Sequence, residues 1–214
     1  MGTITRTFTN NIGASGVLGS GAINNASLNS ITSISGVSLK LLSTATPSSS
    51  SSVSFTTGID STYDEYWFVF NNINPQTGGA EFGFQGSTDG GSNYNLTITS
   101  TDFNAYHPEA DWGSGLTYVT THDQAQGTAF QSIADDGGGA SDECVAGILK
   151  IYNPSSSTYV KHFMSRMNCY NDGDLSVDIF VAGYFNTTSP INAFQFKYSS
   201  GNIDDGTIKL YGVS

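Results

Sequence analysis

The chain has 214 residues, long enough for one substantial core, and its 37% hydrophobic and 12% aromatic content is enough to fill one. With 18 Asp and Glu against 7 Lys and Arg, the formal charge is -11, which argues against nucleic-acid partners, because contacts to a phosphate backbone need clustered Lys and Arg. No apolar stretch approaches the roughly 18 to 20 residues that span a bilayer, so no membrane partner is expected.

The charge is unevenly placed. Before Asp60 there is no acidic residue and only Arg6 and Lys40, whereas residues 60–214 carry all 18 acidic groups. Residues 1–36 are polar with isolated Ile4, Phe8, Val17, Leu18 and Ile23, a spacing that cannot build a core of its own. A flexible tail and an extended arm laid along a neighbouring subunit are the two readings. The arm is the functional one, with those five residues as anchors and an acidic neighbour as its natural surface. The opening Met-Gly-Thr-Ile-Thr-Arg-Thr lacks the uninterrupted apolar region of a secretory signal, so assembly in a cytoplasm is expected.

A folded domain is expected over residues 37–214. Val37–Leu42 reads as its first strand, Ser43–Ser52 as an exposed loop, and Val53–Thr57 as a second strand. In the next strand Tyr66, Phe68 and Phe70 share one face and Trp67 and Val69 the other, because side chains alternate along a pleated strand. Such a strand needs a core on one side and a second sheet, or a partner chain, on the other. Phe82, Phe84 and Gly86 then alternate against Glu81, Gly83 and Gln85, and the two strands are expected to pair as a central hairpin within Tyr63–Tyr94. Thr88-Asp89-Gly90-Gly91-Ser92 supplies a turn.

Beyond it, Tyr94–Thr99 alternates again, and Asp102–Gly115 reads as irregular. Short strands are expected at Leu116–Thr121 and Thr128–Ile133, then an acidic loop, Asp135–Glu143. A hairpin follows, pairing Cys144–Tyr152 with Tyr159–Tyr170, and three final strands lie at Leu175–Tyr184, Ala193–Tyr198 and Gly206–Tyr211. Roughly ten short strands punctuated by Gly, Asn, Asp and Ser turns predict an all-β fold: an antiparallel two-sheet sandwich, jelly-roll-like, with an extended N-terminal arm.

Catalytic chemistry is not expected. His107, His122 and His162 fall in separate segments, and no His-Glu-x-x-His, Cys-x-x-Cys or Gly-Lys-Ser/Thr motif is present. Glu109 and Asp111 could serve glycoside hydrolysis only if they faced one another across a cleft. Asp135, Asp136, Asp142 and Glu143 supply enough hard oxygens for calcium, but the Asp-x-Asp-x-Asp-Gly pattern is missing, and a solvated loop is the expectation; the Asn171-Asp172-Gly173-Asp174 turn reads the same way. No cofactor and no metal are therefore predicted. Cys144 and Cys169 flank the second hairpin and are expected to stay reduced. Tyr106, Trp112 and Tyr118 form either an aromatic platform for a sugar ring or the packing that closes one end of the sandwich.

Several tracts carry a resemblance. Leu41-Leu42-Ser43-Thr44-Ala45-Thr46-Pro47-Ser48-Ser49-Ser50, then Phe55–Tyr66, then Phe84-Gln85-Gly86-Ser87-Thr88-Asp89-Gly90-Gly91-Ser92-Asn93-Tyr94-Asn95, and the ending Gly206-Thr207-Ile208-Lys209-Leu210-Tyr211-Gly212-Val213 together resemble a family of virion structural proteins of tailed bacteriophages. The resemblance spans about residues 38–110 and the last ten or so. It implies a particle component rather than an enzyme, with no catalytic residues to carry over.

The reading is thus a bacteriophage virion structural protein, of capsid-decorating or cement type, whose arm contacts neighbouring subunits. A tail-fibre or receptor-binding module recognising a host surface glycan is the alternative. The expected partners are the major capsid protein or tail components and further copies of the chain, a trimer being favoured.

Overall fold

A computed structural model describes residues 39–213, which belong to one compact unit. The proposed arm, residues 1–36, and its five anchors lie outside the described residues. Thirteen strands follow in order: β1 (Leu39–Ala45), β2 (Val53–Phe55), β3 (Glu65–Pro75), β4 (Ala80–Ser87), β5 (Ile98–Pro108), β6 (Gly115–Tyr118), β7 (Ala125–Gly127), β8 (Gln131–Gly137), β9 (Val145–Tyr152), β10 (Lys161–Tyr170), β11 (Leu175–Phe185), β12 (Ala193–Tyr198) and β13 (Ile203–Val213).

The fold is an all-β antiparallel sandwich. One sheet has nine strands, ordered β1-β13-β3-β9-β10-β11-β5-β6 with β7 also on β5; the other has four, β2-β12-β4-β8. The pairs β1 with β13, β2 with β12, β3 with β9 and β4 with β8 join the first strand of an eight-strand unit to its last, the second to the seventh, and so inward. That is the pairing of a jelly roll. Strands β10, β11, β5, β6 and β7 then extend one sheet well beyond the other.

The expected central hairpin does not form. Strand β3 lies between β13 and β9 in the large sheet, and β4 between β12 and β8 in the small one. The reason is the chemistry of their inward faces. Tyr66, Phe68 and Phe70 on β3 and Phe82 and Phe84 on β4 are all at most 1% exposed, and residues 76–79 carry the chain across the core so that the two aromatic rows face each other. Phe70 and Phe82 meet with ring centroids 5.4 Å apart. Phe68 touches Phe55, Phe194 and Phe196 of the small sheet at 5.3, 5.5 and 4.8 Å, so the two layers are joined by edge-to-face rings.

The stretch from Asp102 is also more regular than its composition predicts. Strand β5 runs on to Pro108, pairing without a break from Ile98 opposite Phe185 to Pro108 opposite Leu175. A long, β-favouring neighbour imposes extended structure on a polar segment whose own propensity is weak. The acidic stretch is likewise partly strand, since β8 continues to Gly137, and the first strand runs to Ala45 rather than ending at Leu42.

Candidate interaction face

The two sheets treat their outward faces differently. On the small sheet, Gly83, Gln85 and Ser87 point away from the core yet are buried, because the chain folds back over them. The Gln85 amide donates to the carbonyls of Leu96 and Ala129 at 3.0 and 2.9 Å. The nine-stranded sheet keeps a broad outward face in contact with solvent.

Its register sets out what that face presents. One row runs through Val69, Ile148, Arg166, Phe180, Phe103 and Tyr118, each opposite the next on a neighbouring strand. A second runs beside it through Tyr211, Trp67, Lys150 and Met164. Met164 is 55% exposed, Tyr118 50% and Phe103 40%. Exposed apolar side chains are common singly, but a continuous band of them marks an interaction surface.

Two cations on this face lie on its rings. Lys150 Nζ stands 4.0 Å from the Trp67 ring centre, and the Arg166 guanidinium 4.9 Å from that of Phe180. Arg166 also grips Asp178 through two bonds, Nε to Oδ1 at 3.1 Å and Nη2 to Oδ2 at 2.8 Å, and that pairing raises its pKa further. Phe180 is therefore held between a clamped guanidinium and Phe103, whose ring stacks on it at 4.9 Å. Between these groups β9, β10 and β11 enclose a groove of about 810 Å³, and a second hollow of about 450 Å³ adjoins it at Tyr152 and Met164. Lys150, Arg166 and Lys209 share this side of the sheet, in a chain with only 7 Lys and Arg. The face is apolar, and its three cations share it with Asp178 and Glu65.

The other residues singled out in the sequence fall in several separate places. His107 is exposed and sits 3.3 Å from Asp111 in the turn after β5; Glu109 is exposed in the same turn. His162 lies on the outward face of β10 against Tyr184. The ladder sets Cys169 opposite Val145 rather than Cys144, and no disulfide joins the two cysteines. The acidic loop divides: Asp135 lies in β8, while Glu143 turns back to accept from the Ala140 amide. Asn171 Oδ1 accepts from Gly173 N and Leu175 N, closing its turn on itself.

The aromatic trio divides too. Tyr106 faces the core and Trp112 packs beside it at 6.2 Å, 65% exposed. Tyr118 stands opposite Phe103, three residues before Tyr106 and so on the other face of β5. Sequence spacing missed the row across six strands, because nothing local marks residues that only register brings together.

No family model matches this chain, no curated protein matches it, and no solved structure matches it.

Proposed function

We propose that this chain is a structural protein of a tailed-bacteriophage particle, of the capsid-decorating or cement type, working in the virion after assembly in the host cytoplasm. The observation that carries the reading is the apolar, cation-bearing band from Val69 to Tyr118 on the solvent side of the nine-stranded sheet. Such a band suits a permanent protein neighbour, and further copies of the chain offer the same face. The motif strings that resemble virion proteins support the same conclusion.

In this reading the sandwich sits on the shell as a homo-oligomer, a trimer being favoured, and contacts the major capsid protein. Residues 1–36 reach across to neighbouring subunits as an extended arm. Closed symmetry lets every copy bury the same face. Deleting residues 2–36 should leave the sandwich folded and abolish particle incorporation, measured by co-sedimentation with particles. Unchanged incorporation would remove the arm from the account.

A tail-fibre or receptor-binding role is favoured by one observation, the 65% exposure of Trp112 beside Tyr106, an arrangement that suits stacking on a sugar ring. It requires that the isolated domain bind host cells and that Trp112→Ala lose that binding with its thermal midpoint intact.

A further inference from the structure

Four residues from four separate segments converge beside the edge of the small sheet: Glu81 of β4, Asp102 of β5, Asp135 of β8, and His122 from the connection between β6 and β7. That connection is pinned by its backbone. Val119 N donates to Asp102 O at 2.9 Å, the Gln131 amide donates to His122 O at 2.9 Å, and the Ser100 hydroxyl joins Gln131 to Gln124 N. The imidazole is thereby held in place with only 8% of the side chain exposed.

His122 Nε2 lies 3.5 Å from Glu81 Oε1 and 3.5 Å from Asp135 Oδ1. Both separations are too long for good hydrogen bonds. They do match ligands sharing one ion, because bonds of about 2.0 to 2.2 Å in tetrahedral geometry place neighbouring donors roughly 3.4 Å apart. The three donor atoms all lie within 4.8 Å of one another. A separate observation comes from Asp102, whose side chain is 1% exposed and directed at the other ring nitrogen, with Oδ2 3.7 Å from His122 Nδ1. Neither Asp102 oxygen accepts a hydrogen bond. A buried carboxylate in that state calls for a charged neighbour or an ion. Three carboxylates thus surround one imidazole, which can supply a single positive charge at most.

We propose that Glu81, His122 and Asp135 bind a divalent metal ion, with zinc the best fit, and that Asp102 is the positioning residue behind His122. A proton on Nδ1, facing Asp102, frees the Nε2 lone pair for the metal; this carboxylate–imidazole–metal arrangement fixes the tautomer and the ring. The mixed nitrogen and oxygen donors and their spacing fit tetrahedral zinc better than calcium, which takes six to eight oxygens. Glu81 and Asp135, with side chains 44% and 33% exposed, mark the open side, where a water or an exchangeable ligand completes the shell. The ion would tie the connection after β6 to β4 and to the edge strand β8. The proposal stands independently of the role on a particle.

The full chain, stripped with chelator and dialysed, is titrated with zinc chloride by calorimetry at neutral pH. One ion per chain is expected, with a raised thermal midpoint. Asp102→Asn should weaken zinc about 10- to 100-fold and, at saturating cobalt(II), shift the visible bands, a readout that lost stability alone would not move. His122→Ala should abolish the site. Glu81→Gln, at a partly exposed position, should weaken it even if the histidine variant fails to fold, and His107→Ala should leave it unchanged. No binding, or equal binding by the wild type and Glu81→Gln, overturns the proposal.

Discussion

Phe180 of β11 and Phe103 of β5 stack face to face on the solvent side of the nine-stranded sheet, their planes within 4° of parallel and their centroids 4.9 Å apart. Cross-strand aromatic pairs stabilise a sheet modestly. Here the pair also lies within an apolar row, and in the proposed reading its larger role is in association. Phe103→Glu and Met164→Glu should each change stability by less than about 1 kcal/mol, since both positions face solvent, while sharply reducing self-association. Analytical ultracentrifugation beside thermal melting separates the two effects. A collapse of the melting midpoint with association unchanged would place these residues in the fold instead.

Phe68 is the ring on which the two layers converge, touching Phe55, Phe194 and Phe196 and fully buried. Phe68→Ala should cost about 3 to 5 kcal/mol, the loss of transfer free energy plus the cavity left behind. Urea unfolding of the variant would report it as a lower midpoint at unchanged slope.

Tyr66 shows how a polar group is carried into that core. Its ring is 0% exposed, and its hydroxyl donates to Asp60 O at 2.9 Å and accepts from Asp60 N at 3.0 Å. The pair ties the turn before β3 to the strand. Tyr66→Phe should cost about 1 to 2 kcal/mol, and amide exchange at Asp60 should accelerate more than exchange in the strand.

The turn after β4 is organised by Asp89, which accepts from the Ser87 hydroxyl at 2.6 Å, Asn93 N at 2.9 Å and the Asn93 amide at 2.7 Å. These bonds, Ser87 first, hold its pKa down at about 2 against an ordinary 3.8. The folded state therefore releases this proton more readily than the unfolded chain does. The stabilisation is complete above about pH 4 and is lost as pH falls through about 2. Asp89→Asn should flatten that part of the stability–pH curve, measured by urea midpoints at successive pH values. An unchanged acid slope would assign it to other carboxylates.

The strand alternation of Tyr66–Phe70, Phe82–Gly86 and Ala193–Tyr198 made the sandwich legible, because a period of two with aromatic inward positions has few other solutions. Pairing was less legible. Phe70 and Phe82 are equally good neighbours within one sheet or across two, and only the arrangement of all the strands selects the second. Trp67 and Val69 did signal an apolar outer face on β3. Its continuation through Ile148, Phe180 and Phe103 depends on a register that no local segment encodes. His122 was harder still. Glu81, Asp102 and Asp135 join it from strands far apart in sequence, so no motif spacing exists, and the polar stretch around Asp102 looked like a loop until β11 was there to pair with it.

If the chain is built into a particle through its outward face and its arm, as proposed, the copy number of the chain per purified particle tests it most directly, by quantitative mass spectrometry against the major capsid protein. Hundreds of copies, on the order expected when one binds each of many shell sites, are predicted for a decorating protein. A few to a few tens would move it to the tail and make host binding the next question. Absence from washed particles would contradict the account outright.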